Sequence, residues 1–232
     1  KKVNIIVKRD NKEKEITLKQ NTVVIPSVSS RIVESNNKKV GVLNVSIFAA
    51  NTYKQFKNKL DDLENKKIDS LIIDVRQNSG GHLDQVSKIL SLFMKQDKVI
   101  YQIKTKKGVE KYYSTGKKSK NYNVVVLIDN GSASASEILA AAMNESYGAT
   151  LIGEKTYGKG TVQKEYMLSS GASIKYTVEN WLTPKGKSIN GKGISPTIEV
   201  VISDEYTNNP TDENDNQLQE AIKFLTEEKK TN

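Results

Sequence analysis

The 232-residue chain contains no cysteine and a single histidine, His82. The first absence removes disulfide frameworks, thiolate metal clusters and thiol nucleophiles together. The second leaves one imidazole for acid–base chemistry, so a serine nucleophile remote from His82 would need a lysine as its base. No apolar run approaches the roughly 18 residues of a membrane span, and the lysine-rich start lacks the apolar centre of a signal peptide. Any export signal or anchor is therefore expected to have been removed or never to have been present. Internal repeats and low-complexity tracts are also missing. What is there is 36% hydrophobic, enough for a sizeable core in a single globular domain with a small appendage.

The net charge is +9, from 36 Lys+Arg against 27 Asp+Glu. Basic residues are scattered among acids and are densest over residues 104–120. Such a stretch can be an electrostatic footprint for nucleic acid or an anionic membrane surface, or a solvated lysine-rich hairpin. No nucleic-acid module signature accompanies it, which favours the hairpin.

Residues 3–18 alternate around a turn at Arg9-Asp10-Asn11-Lys12, the pattern of a β-hairpin that must pack on something else or end a larger element. Strands follow at Ile32-Val33 and over residues 40–48. From there strand and helix patterns alternate, which predicts an α/β core. Thr52-Tyr53-Lys54-Gln55 reads as a capping box, with Phe56, Leu60 and Leu63 on one helical face. Leu71-Ile72-Ile73-Asp74-Val75 reads as a buried strand broken by Asn78-Ser79-Gly80-Gly81, with a helix from near Asp84. A hairpin is expected over 99–113, then a buried strand over 124–128. A helix over 134–147 should end at Gly148, and strands should follow at 150–152, 161–168 and 173–178. Residues 206–214 read as a polar linker, and Leu218, Ile222 and Leu225 as one face of a last helix.

The strand ending at Ile128 runs into Gly131-Ser132-Ala133-Ser134-Ala135-Ser136-Glu137. A serine hydroxyl needs a base to take its proton, and a lysine can serve when it is held uncharged in apolar surroundings. Lys159, in Gly158-Lys159-Gly160-Thr161-Val162-Gln163, is the best candidate, because flanking glycines allow close backbone approach. Gln163 should share a face with Thr161 and Lys159 if the strand is regular, so its neutral amide could orient the amine. Ser134 lies where strand meets helix, so the Ala135 amide is free to hold a developing oxyanion, and the Ser79-Gly80-Gly81 turn could supply a second donor. Each piece also has a plain structural reading. Ser134 to Glu137 is a capping box, Gly158-Lys159-Gly160 is a surface turn, and His82 is a loop residue beside glycines. The lysine segment lacks the spacing of a phosphate-binding loop.

Taken together, Gly41-Val42-Leu43-Asn44-Val45, the segment from Leu71 through Gly81, Ser132 through Glu137, and Gly158 through Gln163 resemble the carboxyl-terminal processing peptidases. Leu182-Thr183-Pro184-Lys185-Gly186 and Asn190 through Pro196 match as well. The resemblance implies an α/β fold with a core like the Clp protease and crotonase spiral, over residues 26–205. Residues 1–25 would be the last strands of a PDZ domain, and 206–232 a linker and C-terminal helix. It further implies Ser134 as nucleophile, Lys159 as base, Gln163 as its partner, and the amides of Gly80 and Ala135 as oxyanion hole. No metal or cofactor is implied. Expected partners are protein or peptide substrates with apolar C-terminal tails, met outside the cytoplasm, and nucleic acid is not expected. Membrane-surface association through a missing N-terminal anchor and homo-oligomerisation are both compatible with it. Gln77 departs from the family's usual Asn, and Thr197 from its usual Asp. The carboxylate-binding loop of the PDZ domain has no counterpart here. The rival readings are a peptide-binding core that is inactive or deregulated without that domain, and a basic surface for nucleic acid or anionic lipid.

Overall fold

The computed structural model describes residues 2–19, 21, 24 and 26–227. Strands β1 (Lys2–Arg9) and β2 (Lys12–Lys19) pair antiparallel with Val3 opposite Leu18. Asp10 and Asn11 take φ of 52° and 58° in the turn, a left-handed pair that matches the twist of a tight hairpin. Asn36 and Asn37 do the same between β3 (Val28–Ser35) and β4 (Lys38–Val45). The chain continues through α1 (Thr52–Asn65), β5 (Ser70–Asp74), α2 (Leu83–Phe93) and the hairpin β6 (Val99–Thr105) and β7 (Gly108–Tyr113). Next come β8 (Asn123–Ile128), α3 (Ala135–Ala142), β9 (Thr150–Gly153), β10 (Thr161–Met167) and β11 (Ser173–Leu182). The short β12 (Ile198–Glu199) and α4 (Asp204–Asn208) precede α5 (Asn216–Thr226).

The central sheet runs β12-β9-β8-β5-β4-β3, parallel throughout except for β3. Its apolar runs are buried on both faces, as a parallel sheet between helices requires. Leu71, Ile73, Val124 and Val126 join Phe56, Leu60, Ile89, Phe93 and Leu139 in one cluster. Ile72, Val125 and Leu127 join Leu218, Ala221, Ile222 and Leu225 of α5 in another. Each such side chain contributes about 2 kcal/mol by leaving water. A second sheet, β10-β11-β6-β7, is antiparallel. Because β5 and β8 are parallel neighbours with Asp74 opposite Leu127, the loops that follow both strands emerge side by side. Crevices beyond the carboxyl ends of parallel strands are where such folds place their sites.

Several expectations change in detail. β4 stops at Val45, and Phe48 makes only an isolated bridge with Gly81. The Thr52 to Gln55 capping box does not form: Asn51 precedes the helix, the Thr52 hydroxyl donates to the Ile47 carbonyl, and Gln55 accepts from the Ser27 N–H. The helix after Ser134 widens to a π-turn over Met143–Tyr147 before Gly148 ends it at φ 96°. Residues 206–214 are not wholly a linker, since α4 reaches Asn208. The basic stretch begins in the β6–β7 hairpin, and Lys120 pairs with Glu64 at 2.5 Å. No residue of the β1–β2 hairpin is buried among the described residues, so of the two expectations for it, packing on another part of the chain is not seen there. Residues 1, 20, 22, 23 and 25 of the first terminal segment and 228–232 of the last lie outside the described residues.

Candidate active site

The loop after β5 is pinned by Asn78, which is fully buried. Its side-chain amide donates to the Val45 carbonyl at 2.8 Å, and its own carbonyl accepts from Ala133 N–H at 3.0 Å and Ser136 Oγ at 2.7 Å. Three segments therefore meet on one side chain and its peptide. Two residues on, Gly80 has φ 107° and a Cβ placed on it would stand 2.9 Å from Ser134 Cβ and 3.0 Å from Ala135 N. Only glycine fits there, in conformation and in space.

Ser134 sits at φ 54° and ψ −113° immediately before α3. A non-glycine residue at such angles is strained by roughly 1–3 kcal/mol and persists only where its surroundings over-determine it. The surroundings do so. Asp129 Oδ1 accepts from the N–H groups of Gln77, Gly131 and Ser132, and Ser132 Oγ donates to the Val75 carbonyl at 2.8 Å. A strained serine on a strand–turn–helix junction is the geometry of a nucleophile elbow, here without its usual glycine pattern. Ala135 N–H, the first amide of α3, has no hydrogen-bond partner among the described residues.

Lys159 lies in the loop before β10, half-buried. It is not part of the strand, so the regular alternation expected to link it with Thr161 and Gln163 begins only at Thr161. A Cβ on Gly158, at φ 92°, would meet Gly193 N at 2.8 Å, so the expected close backbone approach is present. The Lys159 carbonyl accepts from Trp181 Nε1 at 2.9 Å.

One side chain that was read only as a helix cap joins the two segments. Glu137, fully buried, accepts at Oε2 from Ser134 N–H at 2.9 Å and Lys159 N–H at 2.8 Å. Its Oε1 accepts from Gly158 N–H at 2.7 Å and Thr156 Oγ1 at 2.6 Å. The Ser134 and Lys159 backbone nitrogens are thus no farther apart than two hydrogen bonds laid end to end.

The side chains expected to act together are not hydrogen-bonded to one another. No hydrogen bond joins the Ser134 hydroxyl to the Lys159 amine, and none joins the exposed Gln163 to Lys159. Gly80 N–H donates to Asn78 Oδ1 at 2.9 Å, so presenting it to an oxyanion would require that bond to be exchanged. His82 is exposed and occupies the N-cap position of α2 without a side-chain capping hydrogen bond. Among the described residues no group of three or more His, Cys, Asp or Glu is gathered to hold a metal ion.

Behind the Gly80 loop, Arg76 donates to Asp74 and Asp215, each at 2.7 Å through Nη2. Burial works against its charge, but the hydrogen bonds to Asp215 and Asp74 outweigh it and hold the guanidinium above its usual range.

Residues 39–200 match peptidase family S41. The carboxy-terminal processing protease CtpB of Bacillus subtilis (strain 168) is 38% identical over 224 residues, which cover 95% of this chain and 46% of the relative. The carboxyl-terminal-processing protease of Synechocystis sp. is 35% identical over 216 residues, covering 91% of this chain and 50% of the relative. The chain thus spans about half the length of these relatives. Its fold is that of the photosystem II D1 C-terminal processing protease, with a TM-score of 0.72 at 23% identity over 98% of this chain and 60% of that one. The α/β architecture, the ordered motifs and these likenesses agree that the chain belongs to peptidase family S41.

Proposed function

We propose that the protein is a serine endopeptidase that cleaves near the carboxyl-terminal tails of proteins by acyl transfer. Ser134 attacks the scissile carbonyl, Lys159 takes its proton and returns it to the leaving amine, and Gln163 orients the amine. The amides of Ala135 and Gly80 hold the oxyanion, a contribution of about 10²–10³ in rate for each such donor. The observation that carries this reading is the strained Ser134 at a helix start with the Lys159 backbone held against it. The names of the relatives supply the tail-directed activity. Apolar tails and a place of action outside the cytoplasm follow from the resemblance, and no helix among the described residues is long and apolar enough to cross a membrane.

Hydrolysis of an unfolded protein such as casein tests the reading. Ser134→Ala and Lys159→Ala should each lower turnover by about 10⁴-fold, and equal activity in all three proteins would remove the claim.

A second reading has its own support. With the Ser134 hydroxyl unbonded to Lys159 and the Gly80 amide committed to Asn78, the site is in a resting arrangement. A peptide-binding core that needs its PDZ domain to assemble would look like this. Hydrogen bonds of this kind also tighten only when substrate is bound, so activity with and without the preceding domain separates the two.

A further inference from the structure

Glu137 does more than cap a helix. A capping-box glutamate turns its carboxylate back to the amide of the N-cap residue, which uses one lone pair. Here that bond is made to Ser134, and the remaining acceptor positions are filled from the 156–159 loop, by Thr156 Oγ1, Gly158 N–H and Lys159 N–H. Among the described residues four donors and no acceptor bond to its side chain, so both oxygens act as acceptors. No ion pair with Glu137 exists among the described residues. A fully buried carboxylate held by amides and a hydroxyl rather than a cation is costly to keep, and an apolar side chain could fill the space without that penalty.

What the arrangement secures is specific. The serine is the N-cap residue just before helix α3, and the loop entering β10 carries the lysine. Neither segment lies in a sheet, and among the described residues the one backbone bond between them runs from Tyr157 N–H to the Ser132 carbonyl at 3.1 Å, two residues away from both Ser134 and Lys159. A single oxygen, Oε2, receives the backbone N–H of both residues. The neighbouring contacts lock the loop further: Thr156 Oγ1 in turn accepts from Ile194 N–H at 2.7 Å. We infer that Glu137 is the positioning residue of the Ser134–Lys159 pair, a buried carboxylate that sets the separation of nucleophile and base through their main-chain amides. The inference rests on the Ser–Lys reading given above.

Glutamine at 137 would place an NH₂ against at least one N–H donor, so it cannot accept all four bonds. In the natural full-length protein, Glu137→Gln should lower kcat on fluorescent casein by about 10²-fold, the scale of an ångström-sized misplacement, with KM changed less than about twofold. Ser114→Ala serves as the control. It removes a buried hydrogen bond to the Met94 carbonyl far from the site and should lose stability while keeping kcat. If Glu137→Gln keeps kcat within about threefold, or if Ser114→Ala at a matched loss of Tm lowers kcat equally, the positioning role is overturned. Should the glutamine variant not fold, Glu137→Asp decides. It keeps the charge but is one methylene short of both amides, so the same kcat loss is expected, and full kcat would overturn the proposal. Ser134→Ala and Lys159→Ala in the same assay keep the premises separate, because their retention of activity would remove the Ser–Lys reading whatever Glu137 variants do.

Discussion

Ser134 is held at backbone angles that glycine adopts freely and serine does not. The strain should be visible as stability. Ser134→Ala keeps the Cβ and the strained angles, whereas Ser134→Gly relieves them at some cost in unfolded-state entropy. The glycine variant is expected to be more stable than the alanine variant by about 1 kcal/mol, which for a chain of this length is about 2–4 °C in Tm. Thermal unfolding of the two inactive variants checks it, and equal Tm would mean that the elbow stores nothing. At this scale the sequence was readable where chemistry selects rare residue types. With one histidine and no cysteine, Ser134 and Lys159 are the nucleophile and base the sequence offers. Glu137 was visible only as a cap, because its other three bonds cross about twenty residues of chain to a loop. Asn78 looked like a turn residue, and only the fold shows three segments gathered on it.

Helices and strands act on the site through their ends. Helix α5 covers one face of the central sheet, and its cap residue Asp215 both accepts from Leu218 N–H at 2.9 Å and pairs with Arg76. Arg76 precedes the Gly80 loop, so docking of the last helix and placement of that loop share one guanidinium. Arg76→Ala would leave two carboxylates, both at most 10% exposed, buried and unpaired. We expect a loss of about 3–5 kcal/mol, measured by urea unfolding with an unchanged slope. Asp215→Asn keeps a competent cap and should cost clearly less. The periodic face of α5 could be read from Leu218, Ile222 and Leu225. The π-turn at Met143–Tyr147 could not, since an alanine-rich helix and a widened one share the same propensities and only packing tells them apart.

Over the whole molecule, strand existence was legible except for the two-residue β12 at the sheet edge, and sheet order was not. Val124 through Ile128 and Leu71 through Ile73 are continuous apolar runs, which report burial on both faces but not which neighbour lies on which side. That order is set by crossover helices packing on either face, a property of the assembled layers. The β1–β2 hairpin is the opposite case: its pattern is plain in the sequence, and no residue of it is buried among the described residues. Val3, Ile6 and Leu18 are 53%, 70% and 47% exposed, and the two strands form a sheet of their own. A lone two-stranded hairpin is marginal in water, whereas β5 and β8 sit inside the six-stranded sheet. Amide hydrogen exchange on this chain should therefore divide sharply. The β1–β2 amides should exchange at near-unprotected rates, while those of β5 and β8 should open only with global unfolding. Protection of the hairpin comparable to β5 would mean that its apolar residues are covered in solution, as they would be if residues 1–25 were the end of a larger domain.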